Sequence, residues 1–333
     1  MRAYVLERFG GVHGIDAVER DAPAAGPGEA LVRVEARSLN YRDSLILENG
    51  YAVPATLGVV PVSDGAGVVV ETGPGVTRVE VGDRVAATYF PRWRAGGFAL
   101  EAAGDQFGCT RDGMLAELVA VPAEALVAIP EHLSFEEAST LPCAAVTAWA
   151  ALTEPRAPLP SDTVLTIGSG GVAIFALQFA KLLGARVVAV TSSDEKRARL
   201  ERHGADTVVD RSATPDWDRG VREATAGRGV DFVVETGSLE TLPRSLASCA
   251  PGAHLALIAA LGDGALGARS LSAPVTIRRS YVGSRAHFEA MNRAIAQHGL
   301  RPVIDRTFEL DDAKEAYEHF AAARHVGKVV IGG

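Results

Sequence analysis

A chain of 333 residues exceeds the size at which a single hydrophobic core keeps growing, so two domains are expected. Apolar residues are 47% and charged residues 22%, and 33 basic against 41 acidic side chains leave a net charge of -8. That is a globular composition with no electrostatic case for nucleic acid or for an anionic membrane surface.

Residues 1 to 125 are expected to be β-rich, with strand-like runs at Ala30–Ala36, Gly67–Glu71, Arg84–Thr88 and Glu117–Val121. Gly, Pro and Asp bound these runs, the texture of a small barrel or sandwich. A helical stretch is expected to open at Pro130–Glu137 and continue through Trp149, with a connector at Ala157–Ser161. Strand and helix patterns then alternate: strands at Thr163–Ile167, Arg186–Val190, Thr207–Val209, Val230–Val234 and His254–Ala259, and helices at Val172–Leu183, Asp194–His203, Asp216–Thr225 and Leu239–Ser248. Such alternation predicts βαβ units and a parallel sheet. Phe288–Val330 carries two helical patterns and ends on the strand-like Lys328–Ile331. Three widely spaced cysteines, Cys109, Cys143 and Cys249, make no disulfide framework, and no apolar run reaches bilayer length. A cytoplasmic protein without a leader peptide or membrane contact is expected.

Gly168-Ser169-Gly170-Gly171-Val172-Ala173 is a G-x-G-x-x-A turn between a strand and an apolar helix. Gly168 suits a tight turn, Gly170 leaves room for a pyrophosphate, and Ala173 lets the helix pack close to the sheet. Free N–H groups at the helix start, through Gly171 and Val172, attract phosphate. The competing reading is a glycine-rich turn in a ligand-free α/β domain. The next strand ends at Thr191-Ser192-Ser193, where a site for NAD usually has an acid that binds the ribose 2′-hydroxyl. Ser192 and Ser193, followed by Lys196, suit a 2′-phosphate instead, so NADPH is the expected cofactor. Ser192 with Glu195 also reads as a capping box, which leaves Lys196 unaffected.

These residues, with Leu39-Asn40-Tyr41-Arg42-Asp43, Ser63-Asp64-Gly65-Ala66-Gly67, Val81-Gly82-Asp83-Arg84-Val85, Gly113-Met114-Leu115-Ala116-Glu117, Leu141-Pro142-Cys143 and Gly327-Lys328-Val329-Val330, resemble the medium-chain dehydrogenase/reductase superfamily. More narrowly they resemble its zinc-independent quinone oxidoreductase branch. The resemblance implies a GroES-like catalytic domain built from residues 1–125 and 286–333, and a doubly wound Rossmann domain over 126–285. It implies a homodimer joined through the Rossmann sheets near Ser280 to Ser284. It puts Asn40 beside the nicotinamide and the substrate oxygen, Tyr51 in the active cleft, and Thr147 near the nicotinamide ribose or phosphates. Ile258 to Leu261 follows a strand and is placed to bind the carboxamide through backbone groups. Lys328, or Arg324 before it, falls where relatives bring a cation to the cofactor phosphates, against an exposed C-terminal Lys as the alternative. Arg211 stands where quinone reductases often have a Tyr by the 2′-phosphate, and would favour phosphate more strongly. Asp210 beside it works the other way. Val62 stands where relatives usually carry Gly, so a differently shaped loop before Ser63 is expected.

Zinc-dependent relatives place Cys at Tyr41, His-Glu at Ser63-Asp64 and Cys at Cys143. Their structural zinc takes four closely spaced cysteines, where this chain has Cys109 alone. Three protein ligands are the usual minimum for catalytic zinc, so no metal is expected. Hydride transfer to an acceptor that is already activated, a quinone or an α,β-unsaturated carbonyl, tolerates that loss. The expected activity is therefore zinc-independent, NADPH-dependent reduction of such acceptors. An alcohol dehydrogenase on the same scaffold, an enoyl-thioester reductase and a non-enzymatic NADPH-binding structural or regulatory protein are the alternatives. Phe90 and Trp93 are expected as an apolar substrate wall or as core.

Overall fold

The computed structural model describes residues 1–259, 262 and 274–333. Leu261 lies outside them. The chain divides into two compact units, Met1–Val146 with Val282–Gly333, and Thr147–Tyr281. The first boundary thus falls at Val146 rather than at residue 125. The intervening segment belongs to the first unit because its strand Leu126–Ala128 pairs with Arg84–Ala87.

In the first unit β1 (Arg2–Leu6) and β2 (Ile15–Glu19) form a two-stranded antiparallel sheet. The main sheet is built on the ten-residue β3 (Glu29–Ser38), with β4 (Asp64–Thr72), β5 (Arg84–Ala87), β6 (Leu118–Pro122) and β7 (Leu126–Ala128). Ile304–Phe308 and Lys328–Gly332, from the far end of the chain, complete its seven strands. β3 has three partners. β4 runs along one side, while β6 pairs with its first half and Lys328–Gly332 with its last residues. Alternating Val32 and Val34 of β3 pack with Val69, Val85, Val119 and Ile331 in one core. Each such buried side chain contributes about 1.5–3 kcal/mol from removal of apolar surface from water.

The second unit is a six-stranded parallel sheet of β8 (Thr163–Ile167), β9 (Arg186–Thr191), β10 (Thr207–Asp210), β11 (Val230–Glu235), β12 (Cys249–Leu257) and β13 (Thr276–Arg279). Its spatial order is β10-β9-β8-β11-β12-β13, so the winding reverses between β8 and β11. Ligands of doubly wound sheets bind at that switch point, outside the carboxyl ends of the strands. β8 is buried at every position, which matches its continuous apolar and threonine run.

The helical stretch expected from Pro130 through Trp149 consists of three pieces: Phe135–Ser139, a π-helical turn at Leu141–Ala145, and Val146–Thr153. Pro142 has no N–H to offer the carbonyl of Ala138 and its ring crowds that carbonyl, so the turn widens.

Candidate active site

In the first unit, β3 runs out at Ser38 and the chain turns through Leu39 and Asn40 into the helix Tyr41–Leu47. The antiparallel register sets Val330 opposite Ser38, and the Leu39 N–H donates to Val329 O. Lys328 is therefore carried to the side of Asn40. Its Nζ donates to Leu39 O and to Asn40 Oδ1, both at 2.6 Å. Lys328 is 2% exposed and Asn40 7%. An ammonium only donates, so the amide oxygen must face it and the Nδ2 group must face away. Asn40 Nδ2 is buried and has no hydrogen-bond partner among the described residues.

Two carboxylates complete the cluster. Asp43 Oδ2 accepts from the Asn40 N–H at 2.8 Å, and its Oδ1 lies 3.3 Å from Arg42 Nη1. Burial lifts its carboxyl to about 6, with Arg42, the Asn40 N–H and Lys328 opposing. Asp64, fully buried, accepts from Ser63 Oγ at 2.7 Å and from the Cys143 N–H at 3.0 Å. Burial lowers the Lys328 ammonium, while Asp64, Cys143 and Asp43 raise it. Burial and then Asp64 push the Cys143 thiol up, so it stays protonated. Val62, just before this pair, has φ of 72°, the left-handed region that glycine adopts without strain. The close packing of Gly108 and Gly113 holds it there: a Cβ on Gly113 would lie 2.2 Å from Val62 O.

Tyr51 lies in a second polar group. Its hydroxyl is 2.9 Å from that of Tyr89, and the two lie 3.0 and 3.1 Å from Gln106 Oε1. Gln106 Nε2 donates to Ala103 O, which turns the amide oxygen toward the phenols. The Arg42 guanidinium sits over both rings, 5.2 and 5.1 Å from their centres. Tyr51 is thus one member of a hydrogen-bonded triad rather than an isolated donor. Phe90 and Trp93 pack in a buried aromatic cluster with Tyr89, so the core reading applies to both.

In the second unit the glycine-rich turn follows β8. Gly168 has φ of 89°, and Gly170 precedes the helix Gly171–Leu182 in extended conformation, with nothing within 4 Å of where its Cβ would stand. Gly171 and Val172 open the helix, and Ala173 is buried. Thr236 Oγ1 donates to Ile167 O, bridging the ends of β8 and β11 at the switch point. Buried Glu235 shapes the adjoining loop, accepting from the Gly237 N–H at 2.7 Å and Thr241 Oγ1 at 3.0 Å.

β9 ends at Thr191, paired with Asp210 of β10, and the Arg211 N–H donates to Thr191 O at 2.8 Å. Ser192, Ser193 and Arg211 are therefore neighbours at the ends of adjacent strands. The helix cap is Ser193, not Ser192: its Oγ accepts from the Lys196 N–H at 3.4 Å, because the chain stays extended through Ser193 before the helix Asp194–Arg202. Arg197 Nη1 is held by Val208 O. The Asp210 carboxylate accepts from the Ser212 N–H and Oγ at 2.8 and 2.7 Å, which holds it below the usual carboxylate range. Thr147 is buried in the helix Val146–Thr153. At Ile258 the N–H donates to Glu235 O and the carbonyl accepts from Arg279 Nη1, so both backbone groups are engaged inside the domain.

The comparisons with known proteins fit this arrangement. Residues 26–131 match the family described as alcohol dehydrogenase GroES-like domain, and residues 171–297 the family described as zinc-binding dehydrogenase. A zinc-type alcohol dehydrogenase-like protein of Schizosaccharomyces pombe is 38% identical, covering 99% of both chains. A putative alcohol dehydrogenase from Sinorhizobium meliloti 1021 superposes with a TM-score of 0.92 at 36% identity, over 100% of this chain and 98% of that one. A structure described as an NAD-dependent alcohol dehydrogenase gives 0.90 at 31% identity over the whole of both chains.

The chain belongs to the medium-chain dehydrogenase/reductase superfamily.

As a member of that superfamily it is an oxidoreductase that works with a nicotinamide cofactor, and the turn after β8 fits the dinucleotide. The zinc of its zinc-type relatives is not matched by the residues here. Tyr41 is 57% exposed, both oxygens of Asp64 hold hydrogen bonds, and the Cys143 thiol resists ionisation. Among the described residues no three His, Cys, Asp or Glu side chains converge as a metal site. Nor is any helix of the described residues long and apolar enough to cross a membrane.

Sequence reasoning singled out Asn40, Tyr51 and Lys328 but missed how they are held. Tyr89 and Gln106 carried no motif signal, and Arg42 entered only as part of the motif at residues 39–43, with no role of its own.

Proposed function

We propose that the protein is a zinc-independent, NADPH-dependent oxidoreductase that delivers hydride to a quinone or an α,β-unsaturated carbonyl. The observation that carries this reading is the surrounding of Asn40: a buried amide N–H group without a partner, held beside an ammonium, in place of a set of metal ligands. Bound NADPH supplies the hydride. Asn40 Nδ2 donates to the acceptor oxygen, which gains negative charge as the hydride arrives on the conjugated carbon. A preorganised donor aimed at developing charge typically contributes about 10²–10³ in rate. Conjugation spreads that charge, so neutral donors suffice where an isolated carbonyl or an alcohol would need a stronger electrophile.

Preference for NADPH is supported by the hydroxyls of Ser192 and Ser193 and the cations Lys196 and Arg211 at the ends of β9 and β10. Of the carboxylates in that neighbourhood, Asp210 is turned onto Ser212 and Asp194 pairs with Arg197 at 3.4 Å. A homodimer is supported by β13, the edge of the sheet among the described residues, where Ile277 is 37% exposed, and by Tyr281 just after it, 44% exposed. A second strand could pair there, and light scattering on the eluting protein tests it.

Steady turnover of NADPH with 1,2-naphthoquinone or a 2-alkenal by protein shown to be free of metal tests the activity. The names of the relatives favour a second reading, an alcohol dehydrogenase using NAD or zinc. Stoichiometric zinc with oxidation of simple alcohols would establish that reading instead. NADPH binding with no turnover across a broad acceptor panel would mark a binding protein.

A further inference from the structure

We infer that Lys328 is a positioning residue that sets the direction of the Asn40 amide, so that Nδ2 is presented to the acceptor oxygen and cannot rotate away from it. The inference rests on the reading of Asn40 as the oxyanion donor and extends it to a residue at the opposite end of the chain.

Three observations support it. First, the ammonium touches the amide at its oxygen, 2.6 Å away, and a second bond to Leu39 O fixes the ammonium itself. Second, the Asn40 backbone is fixed independently, because its N–H donates to Asp43 Oδ2 at 2.8 Å. An amide turned by half a turn about its own axis would set its NH₂ group against the ammonium, donor against donor. Third, the orientation so enforced leaves Nδ2 buried without a partner among the described residues. An unsatisfied buried donor costs about 1–3 kcal/mol, a cost that an acceptor oxygen arriving at Nδ2 removes. An ammonium committed in this way to Leu39 and Asn40, and 2% exposed, is poorly disposed to bind a cofactor phosphate as well. Asp64 and Asp43 balance the buried charge of Lys328 and Arg42, which lets the clamp exist away from water.

The experiment is a double-mutant cycle on the full-length protein with NADPH and 1,2-naphthoquinone. It uses Asn40→Ala, Lys328→Met and the double variant, with thermal unfolding recorded for each and NADPH dissociation constants measured by nicotinamide fluorescence. Asn40→Ala is expected to lower kcat about 100-fold, as loss of one oxyanion donor does. Lys328→Met is expected to lower kcat at least about tenfold, since a freely turning amide no longer holds the donor in place, and to change the NADPH dissociation constant by less than about twofold. In the Asn40→Ala background the same change is expected to remove less than about a further threefold, because the two residues act as one unit. Asn40→Asp keeps an acceptor for Lys328 and removes the donor, so it is expected to fold and to match Asn40→Ala in kcat. If Lys328→Met does not fold, Lys328→Arg, which keeps the charge but replaces the compact ammonium, takes its place in the cycle with the same non-additivity expected.

Multiplicative losses in kcat would overturn the positioning role while leaving Asn40 as the donor. A raised NADPH dissociation constant with kcat retained would assign Lys328 to the cofactor instead. An Asn40→Ala protein with unchanged kcat would remove the oxyanion-donor reading itself, and this inference with it.

Discussion

The cofactor preference can be tested by removing the two cations at the ends of β9 and β10. Lys196 lies in the first turn of the helix capped by Ser193, and Arg211 directly follows β10, its N–H bonded to Thr191 O. In the proposed reading each gives one ionic hydrogen bond to a 2′-phosphate. Such bonds contribute about 1.5–3 kcal/mol. Arg211 is exposed and Lys196 half-buried, so solvent and salt screen both, and the lower figure of about 1.5 kcal/mol applies to each. One such loss is about tenfold in affinity and two are about a hundredfold. Lys196→Ala and Arg211→Ala should each raise the NADPH dissociation constant about tenfold, and together about a hundredfold, while NADH binding moves less than about twofold. Fluorescence titration with both cofactors reads this directly. In the wild type NADPH affinity should also fall with added salt much more steeply than NADH affinity. Equal losses for the two cofactors, or no loss for either, would refute the assignment of these residues to a 2′-phosphate.

Other outcomes follow from the same geometry. Gly168→Ala forces a side chain into φ of 89° with no steric contact closer than 3.9 Å, so it should cost about 1–2 kcal/mol from backbone strain alone, read by urea unfolding, and also weaken cofactor binding. Gly113→Ala places a Cβ within 2.2 Å of Val62 O and should cost more, on the order of 3 kcal/mol, with loss of the loop that carries Ser63 and Asp64. Asp43 has a folded value of about 6 against 3.8 for the free side chain. The folded chain therefore binds this proton more tightly. Its contribution to stability is complete below the free value and is lost as pH rises through the folded one, about 3 kcal/mol in all by neutral pH. Asp43→Asn should flatten the fall in unfolding free energy between pH 4 and 7 by about that amount, and an unchanged slope would show that Asp43 does not titrate there.

Much of the second unit was legible from residue order alone. The G-x-G-x-x-A turn, the alternation of strand and helix patterns, and the hydroxyls after Arg186–Thr191 are local signals, since each depends on residues within one βαβ unit. The break at Pro142 could also have been read locally, because the missing N–H and the crowded carbonyl are properties of the residue itself. The domain boundary could not, since whether Leu126–Ala128 joins the first sheet depends on Arg84–Ala87, far away in the chain.

The sequence by itself determined the superfamily and the strand–turn–helix that carries Gly168 and Gly170, because those rest on residue types at short spacings. It also marked Asn40 and Lys328 as separate points of interest. Only the tertiary structure decided that they are in contact. Residues 288 positions apart meet because the last strand pairs antiparallel with the end of β3, and a pairing register is set by the packing of a whole sheet. The same holds for Arg42, Tyr51, Tyr89 and Gln106. Tyr89 and Gln106 read as ordinary polar residues along the chain, and nothing local shows that all four are enclosed together, where a buried cation and the phenol hydroxyls interact far more strongly than they would in water.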